Sequence, residues 1–240
     1  MHIAFLHTAE VHVARFDALL DELAPGATTE HRVVPELLRR AQRDGIGAVR
    51  AETIAMLTEL ASANAVICTC STLGSIADEL ARQHPHVVRI DRAMMEAACS
   101  YGPRILVALC LDSTRAATLD LLEECGQELG LPINAELVLV TEAWAAFEAG
   151  DMAAYADGIA GAVRQSVVNI HFDCVLLAQA SMDIAAAQLA DLGIPVLTSP
   201  RAAVLRALTV ARRRDNCNAP RSVFNQTQTF ARKWFNVKPY

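Results

Sequence analysis

Aromatic residues are scarce in this 240-residue chain, at 5%, although 53% of it is hydrophobic. Its core must therefore be built from Ala, Val, Leu and Ile, as in parallel sheets covered by helices on both faces. So large an apolar share excludes a disordered chain, which could not offset its ordering entropy. No apolar run reaches the roughly 18 residues of a bilayer-spanning helix, so no membrane partner is expected. Met1-His2-Ile3-Ala4-Phe5-Leu6-His7 has neither the basic start nor the long apolar stretch of a secretory signal, which points to a cytoplasmic protein. A basic excess is missing too: the net charge of −6 argues against nucleic-acid binding, which needs a basic face. Length allows one domain or two of about 120 residues each.

Cysteines are present, at 68, 70, 99, 110, 125, 174 and 217, but odd in number and scattered through apolar stretches. They read as reduced thiols. Cys68-Thr69-Cys70 is followed by no second close pair and has no histidine at ligand spacing, so no metal site is expected.

What the chain does have is alternation. Strand patterns at Ile3–His7, Ala65–Thr69, Val87–Ile90, Ile105–Leu111, Glu136–Val140, Cys174–Leu177 and Pro195–Leu197, with a weaker one at Arg32–Val34, are separated by helical periodicity. Helices are expected over Gly47–Ala63, Leu73–Arg82, Thr114–Leu129 and Asp151–Val168, and around Phe16, Leu19, Leu20 and Leu23. Ser71-Thr72, Ser113-Thr114 and Asp151 are placed as N-caps. This pattern predicts an α/β protein made of parallel βαβ units.

Two halves of the pattern match. The strand running into Cys70-Ser71-Thr72 resembles the one running into Gln179-Ala180-Ser181, 109 residues later (179 minus 70). The next strands end 108 apart, at Asp91 and Ser199, and the opening strands at Ile3 and Ile105 lie 102 apart. Near-equal offsets indicate duplication of a unit of roughly 100 residues. The expected organisation is two similar lobes, each a parallel sheet flanked by helices, with a cleft between them. Residues 1–98 with 199–240 form the first lobe and 99–198 the second.

Ligands of open parallel sheets bind beyond the carboxyl ends of the strands. His7, Thr8, Cys70, Ser71, Thr72, Ser113, Thr114, Gln179, Ala180 and Ser181 all fall there. Hydroxyls and free N–H groups at helix starts suit a small carboxylate. Cys70 sits where a strand hands over to a helix, where nearby N–H dipoles are expected to lower its pKa toward a reactive thiolate. Cys68, two residues earlier, is expected to be core.

Thr69-Cys70-Ser71-Thr72 and Leu177-Ala178-Gln179-Ala180-Ser181-Met182 resemble the cysteine turns of the aspartate/glutamate racemase superfamily, which includes hydantoin racemases, maleate isomerases and arylmalonate decarboxylases. The resemblance extends over roughly residues 2–205. It implies an isomerase needing no cofactor, acting at the α-carbon of a small carboxylate through an enolate. Cys70 matches the first catalytic cysteine. Thr8, Ser71, Thr72, Ser113, Thr114, Ala180 and Ser181 match substrate-contacting positions. Gln179 stands where the second cysteine belongs, and an amide cannot act as a general base at neutral pH. It could instead hydrogen-bond a carboxylate or an enolate, with His7 as a second acid or base. Decarboxylation of a malonate-like acid, or carboxylate sensing without turnover, are the alternatives. A homo-oligomer is compatible with all of these.

From Thr209 onward seven basic residues face one acid, Asp215, which leaves the rest of the chain near −12 (−6 minus +6). Phe224, Phe230, Trp234, Phe235 and Tyr240 make this stretch aromatic. It is expected to pack on the acidic body or on a neighbouring subunit.

Overall fold

The computed structural model describes the backbone of residues 1–218 and the side chains of residues 1–215. The basic aromatic stretch from Arg221 onward lies outside the described residues. Eight strands alternate with helices: β1 (His2–His7), α1 (Val11–Leu23), β2 (Thr28–Val33), α2 (Pro35–Asp44), α3 (Arg50–Glu59), β3 (Ala65–Cys68), α4 (Gly74–Ala81), β4 (Val87–Arg89) and α5 (Arg92–Cys99) come first. Then follow β5 (Arg104–Leu109), α6 (Arg115–Leu129), β6 (Asn134–Leu139), α7 (Thr141–Glu148), α8 (Met152–Ser166), β7 (Cys174–Leu177), β8 (Val196–Thr198) and α9 (Ser199–Asn218).

The strands form two four-stranded parallel sheets, ordered β2-β1-β3-β4 and β6-β5-β7-β8. The same order occurs twice, as the matching offsets anticipate, and the weak pattern at Arg32–Val34 overlaps the last two residues of a strand, β2.

The inner strands β1, β3, β5 and β7 are almost wholly buried on both faces and read as apolar runs, whereas the edge strands β2 and β6 are only partly buried and carry polar residues. On β1, Ala4 and Leu6 pack toward α2, α3 and α4, while Ile3 and Phe5 pack toward α1 and α9. On β5, Leu106 and Ala108 face α7 and α8, while Ile105, Val107 and Leu109 face α5 and α6. The chain thus returns in α9 to cover the first sheet.

The helix signals resolve in two ways. Asp151 caps α8, accepting from the Ala154 N–H at 3.0 Å. Ser71-Thr72 and Ser113-Thr114 do not cap. A 3₁₀ turn separates strand from helix at each place, Ser71–Leu73 and Asp112–Thr114, and no side-chain cap forms there. The buried hydroxyls among them are used elsewhere. Helix α6 ends at Gly130, whose φ of +67° is left-handed, and the Leu131 N–H closes the turn on the Gly126 carbonyl at 2.9 Å.

Candidate active site

The carboxyl ends of the two sheets face each other across a cavity of about 70 Å³. Thr8, Ala9, His12, Leu38 and Thr69 to Thr72 line it from the first half of the chain. Leu111, Thr114, Trp144, Phe147 and Gln179 to Ser181 line it from the second. No carboxylate, ammonium or guanidinium lines it.

Cys70 and Gln179 hold equivalent places. Each lies two residues beyond the third strand of its half, β3 or β7, in extended backbone, and each precedes a 3₁₀ turn. Both are buried against the cavity. The hydroxyls of Thr8 and Thr72 and the N–H groups of Thr72 and Leu73 favour the Cys70 thiolate. Burial outweighs them and pushes the thiol above the usual cysteine range, so the expected depression of its pKa is reversed. Its resting form is the thiol. Cys68, packed in the core beneath it, is pushed up to about 12 by burial.

Gln179 is fixed by its oxygen. Oε1 accepts from the N–H of Cys110 at 2.6 Å and of Leu111 at 3.1 Å. With that oxygen saturated, the amide NH₂ is the end left for a ligand. Ser181, two residues on, pairs with the buried Tyr155 hydroxyl at 2.8 Å.

Two hydroxyl contacts join the halves above the cavity. Ser71 Oγ donates to the Ala178 carbonyl at 3.0 Å, and the Thr72 and Thr114 hydroxyls meet at 3.1 Å. Thr8, Cys70, Ser71, Thr72, Thr114, Gln179, Ala180 and Ser181 are therefore brought together, as expected from the strand ends.

Two expectations are corrected. Ser113 is exposed and does not line the cavity, because the 3₁₀ turn directs only Thr114 inward. His7 is fully buried in the layer behind the cavity and does not line it. Its Nδ1 pairs with Thr69 Oγ1 at 2.8 Å and its Nε2 with His31 Nδ1 at 2.8 Å, and His31 Nε2 reaches Asp17 at 2.9 Å. Desolvation, helped by His12 and His31, holds its pKa near 3, so it is neutral.

Sequence reasoning missed His12, Leu38, Trp144 and Phe147 in the cavity wall. The duplication carried a signal for the first: the 102-residue offset between β1 and β5 pairs His12 with Thr114. Among the described residues no group of three or more His, Cys, Asp or Glu side chains could hold a metal ion, and no helix is long and apolar enough to cross a membrane.

Sequence comparison matches the chain to no family model and to no curated protein. Its shape does have relatives. An aspartate racemase from Picrophilus torridus superposes with a TM-score of 0.66 at 14% identity, covering 88% of this chain and 94% of that one. A glutamate racemase from Bacillus anthracis gives 0.68 at 13% identity, covering 88% and 81%. The chain shares the fold of these aspartate and glutamate racemases. An arylmalonate decarboxylase has the same fold, with a TM-score of 0.54 at 15% identity over 88% of this chain and 92% of that one.

Proposed function

We propose that this protein is a cofactor-independent isomerase that moves a proton at the α-carbon of a small carboxylate, with the Cys70 thiol touching the reacting carbon. The observation that carries this reading is one thiol, Cys70, in a small cavity that is lined by hydroxyl and amide groups and has no charged side chain. Several chain segments enter helical turns at its wall, so their free N–H groups favour an anion there.

When the α-proton leaves, its electron pair spreads into the carboxylate as an enediolate. Donors fixed in place before the reaction stabilise that charge without having to reorganise. The Gln179 NH₂ is such a donor, and its held carbonyl keeps it so. Gln179 exchanges no proton itself, so the reaction runs on one thiol where the resembling racemases use two.

Decarboxylation of a malonate-like acid is the second reading, favoured by the likeness to an arylmalonate decarboxylase. Loss of CO₂ creates the same enediolate, and a single proton donor then suffices.

Incubating the protein in D₂O with a panel of small amino, hydroxy and malonic acids tests both. Deuterium at the α-carbon without CO₂ release identifies the isomerase, and CO₂ release the decarboxylase. Protection of Cys70 from alkylation without turnover would mark a sensor. No turnover, with Cys70→Ala behaving like wild type, would sink the enzyme reading.

A further inference from the structure

We propose that His12 is the second proton-transfer group of this cleft and exchanges a proton with the same α-carbon as Cys70. The assignment rests on the reaction proposed above and supplies the acid–base partner that Gln179 cannot be.

The imidazole of His12 is 92% buried (8% exposed) yet lines the cavity. No hydrogen bond joins either of its ring nitrogens to another of the described residues. Both nitrogens of the neighbouring His7 are occupied, by Thr69 and His31. The His12 ring is held by packing instead, 6.0 Å from the His7 ring and edge-on to Phe16 at 6.4 Å. A buried ring that faces a cavity with open nitrogens is placed for a ligand.

The cavity wall offers no competitor. Its other polar groups are serine and threonine hydroxyls, the Gln179 amide and the Trp144 indole, none of which exchanges a proton with a base near neutral pH. Cys70 approaches from the turn after β3 and His12 from the first turn of α1, so the two come from different elements.

Burial holds His12 near a pKa of 4 and holds Cys70 high, so the resting pair is a neutral imidazole and a neutral thiol. In one direction the imidazole lone pair takes the α-proton, and the C–H electrons enter the carboxylate. The Cys70 S–H bond then breaks as its proton forms the new C–H bond on the other face. Imidazolium and thiolate remain. This charged pair runs the reaction backward on the product enantiomer, or returns to rest when the imidazolium proton passes to the sulfur.

The test uses the full chain and each enantiomer of an acid that the wild type turns over, with α-deuterium wash-in followed by NMR. His12→Gln should lose 10²–10⁴-fold in racemisation and in wash-in from one enantiomer, and Cys70→Ala from the other. His12→Gln at wild-type rate in both directions would overturn the proposal. A second measurement needs no turnover, so it separates this assignment from the proposed reaction. In a Cys217→Ser background, Cys70 is alkylated with either iodoacetate or iodoacetamide, and the site is verified by mass spectrometry. The His12 imidazole is then titrated by NMR. The carboxymethyl group places a carboxylate in the cavity and should raise the His12 pKa by a unit or more over the uncharged adduct. Equal values would show that His12 does not share the cavity with Cys70, and would overturn the proposal whatever the enzyme turns over.

Discussion

The hydroxyls of Thr72 and Thr114 meet at 3.1 Å across the boundary between the two halves, each fully or almost fully buried. Thr72 is the partner of the wholly buried Thr114 hydroxyl, so removing Thr72 strands Thr114. Thr72→Val should destabilise by about 1–2 kcal/mol, the usual range when a buried polar group loses its hydrogen bond. Thr114→Val should cost less, because the Thr72 hydroxyl keeps the Cys70 sulfur as a partner. The double variant should cost clearly less than the two together, because no orphan remains. Urea denaturation of the three variants checks this, and strict additivity would show that the hydroxyls do not depend on each other.

A second link lies on the far side of the β3 turn. The buried Arg89 donates to Asp91 through Nε at 2.6 Å, to Asp78 at 3.0 Å and to the Ala117 carbonyl of α6 at 2.8 Å. A methyl group on Gly74 would come within 2.5 Å of Arg89 Nε, so glycine is what lets the guanidinium approach. Arg89→Met would leave Asp91, which is wholly buried, as an unpaired charge. The expected loss is about 3–5 kcal/mol. Gly74→Ala should act in the same direction by displacing the guanidinium. A shift in guanidinium midpoint worth less than about 1 kcal/mol for Arg89→Met would contradict this account.

How far the residues announced all this depends on distance along the chain. Buried strands are apolar runs and were visible, whereas β2, a partly exposed edge strand carrying Thr, Glu, His and Arg, showed only as a weak pattern at its end; the repeated order of the sheets followed from the offsets. Cys70, Thr8 and Gln179 were legible because strand ends are local features of the sequence. The positions of Ser113 and His7 were not. Whether a hydroxyl caps its own helix or bonds across the cleft depends on a three-residue 3₁₀ turn between strand and helix, which periodicity does not reveal. His7 follows the strand alternation into the layer behind the cavity, among Phe5, Phe16 and His31. His12 hid in an amphipathic helix, where a lone histidine is indistinguishable from a packed one. The Cys70 pKa was misjudged because N–H dipoles can be read from a motif, whereas desolvation is a property of the assembled fold.

His7 and His12 give the protein a predictable acid response. Their folded pKa values, about 3 and about 4, lie below the 6.5 of a free histidine. Between those limits the unfolded chain binds protons that the folded one does not, so stability is fully present above pH 6.5 and falls as pH drops toward 4 and then 3. Two such groups give a slope of roughly 1–3 kcal/mol per pH unit near pH 5. His7→Gln should remove about half of that slope. Urea midpoints measured from pH 7 to pH 4.5 decide it, and a flat profile for the wild type would show that these histidines are not held neutral.

Gln179 allows a sharper test of the cleft chemistry, because its two ends can be separated. Gln179→Glu keeps an oxygen to accept from the Cys110 and Leu111 N–H groups, so the turn after β7 should stay in place. It removes the NH₂ donor and brings a negative charge into a cavity proposed to hold an anion. Turnover of an acid identified in D₂O should fall by 10²–10³-fold, within the range for losing one donor to a developing oxyanion. The thermal midpoint should change little. Gln179→Leu loses both ends, orphans two N–H groups and should lower stability as well as turnover. If Gln179→Glu turned over the acid as well as the wild type, the amide would have no contact with the reacting carboxylate, and its role would be confined to holding the β5 and β7 turns together.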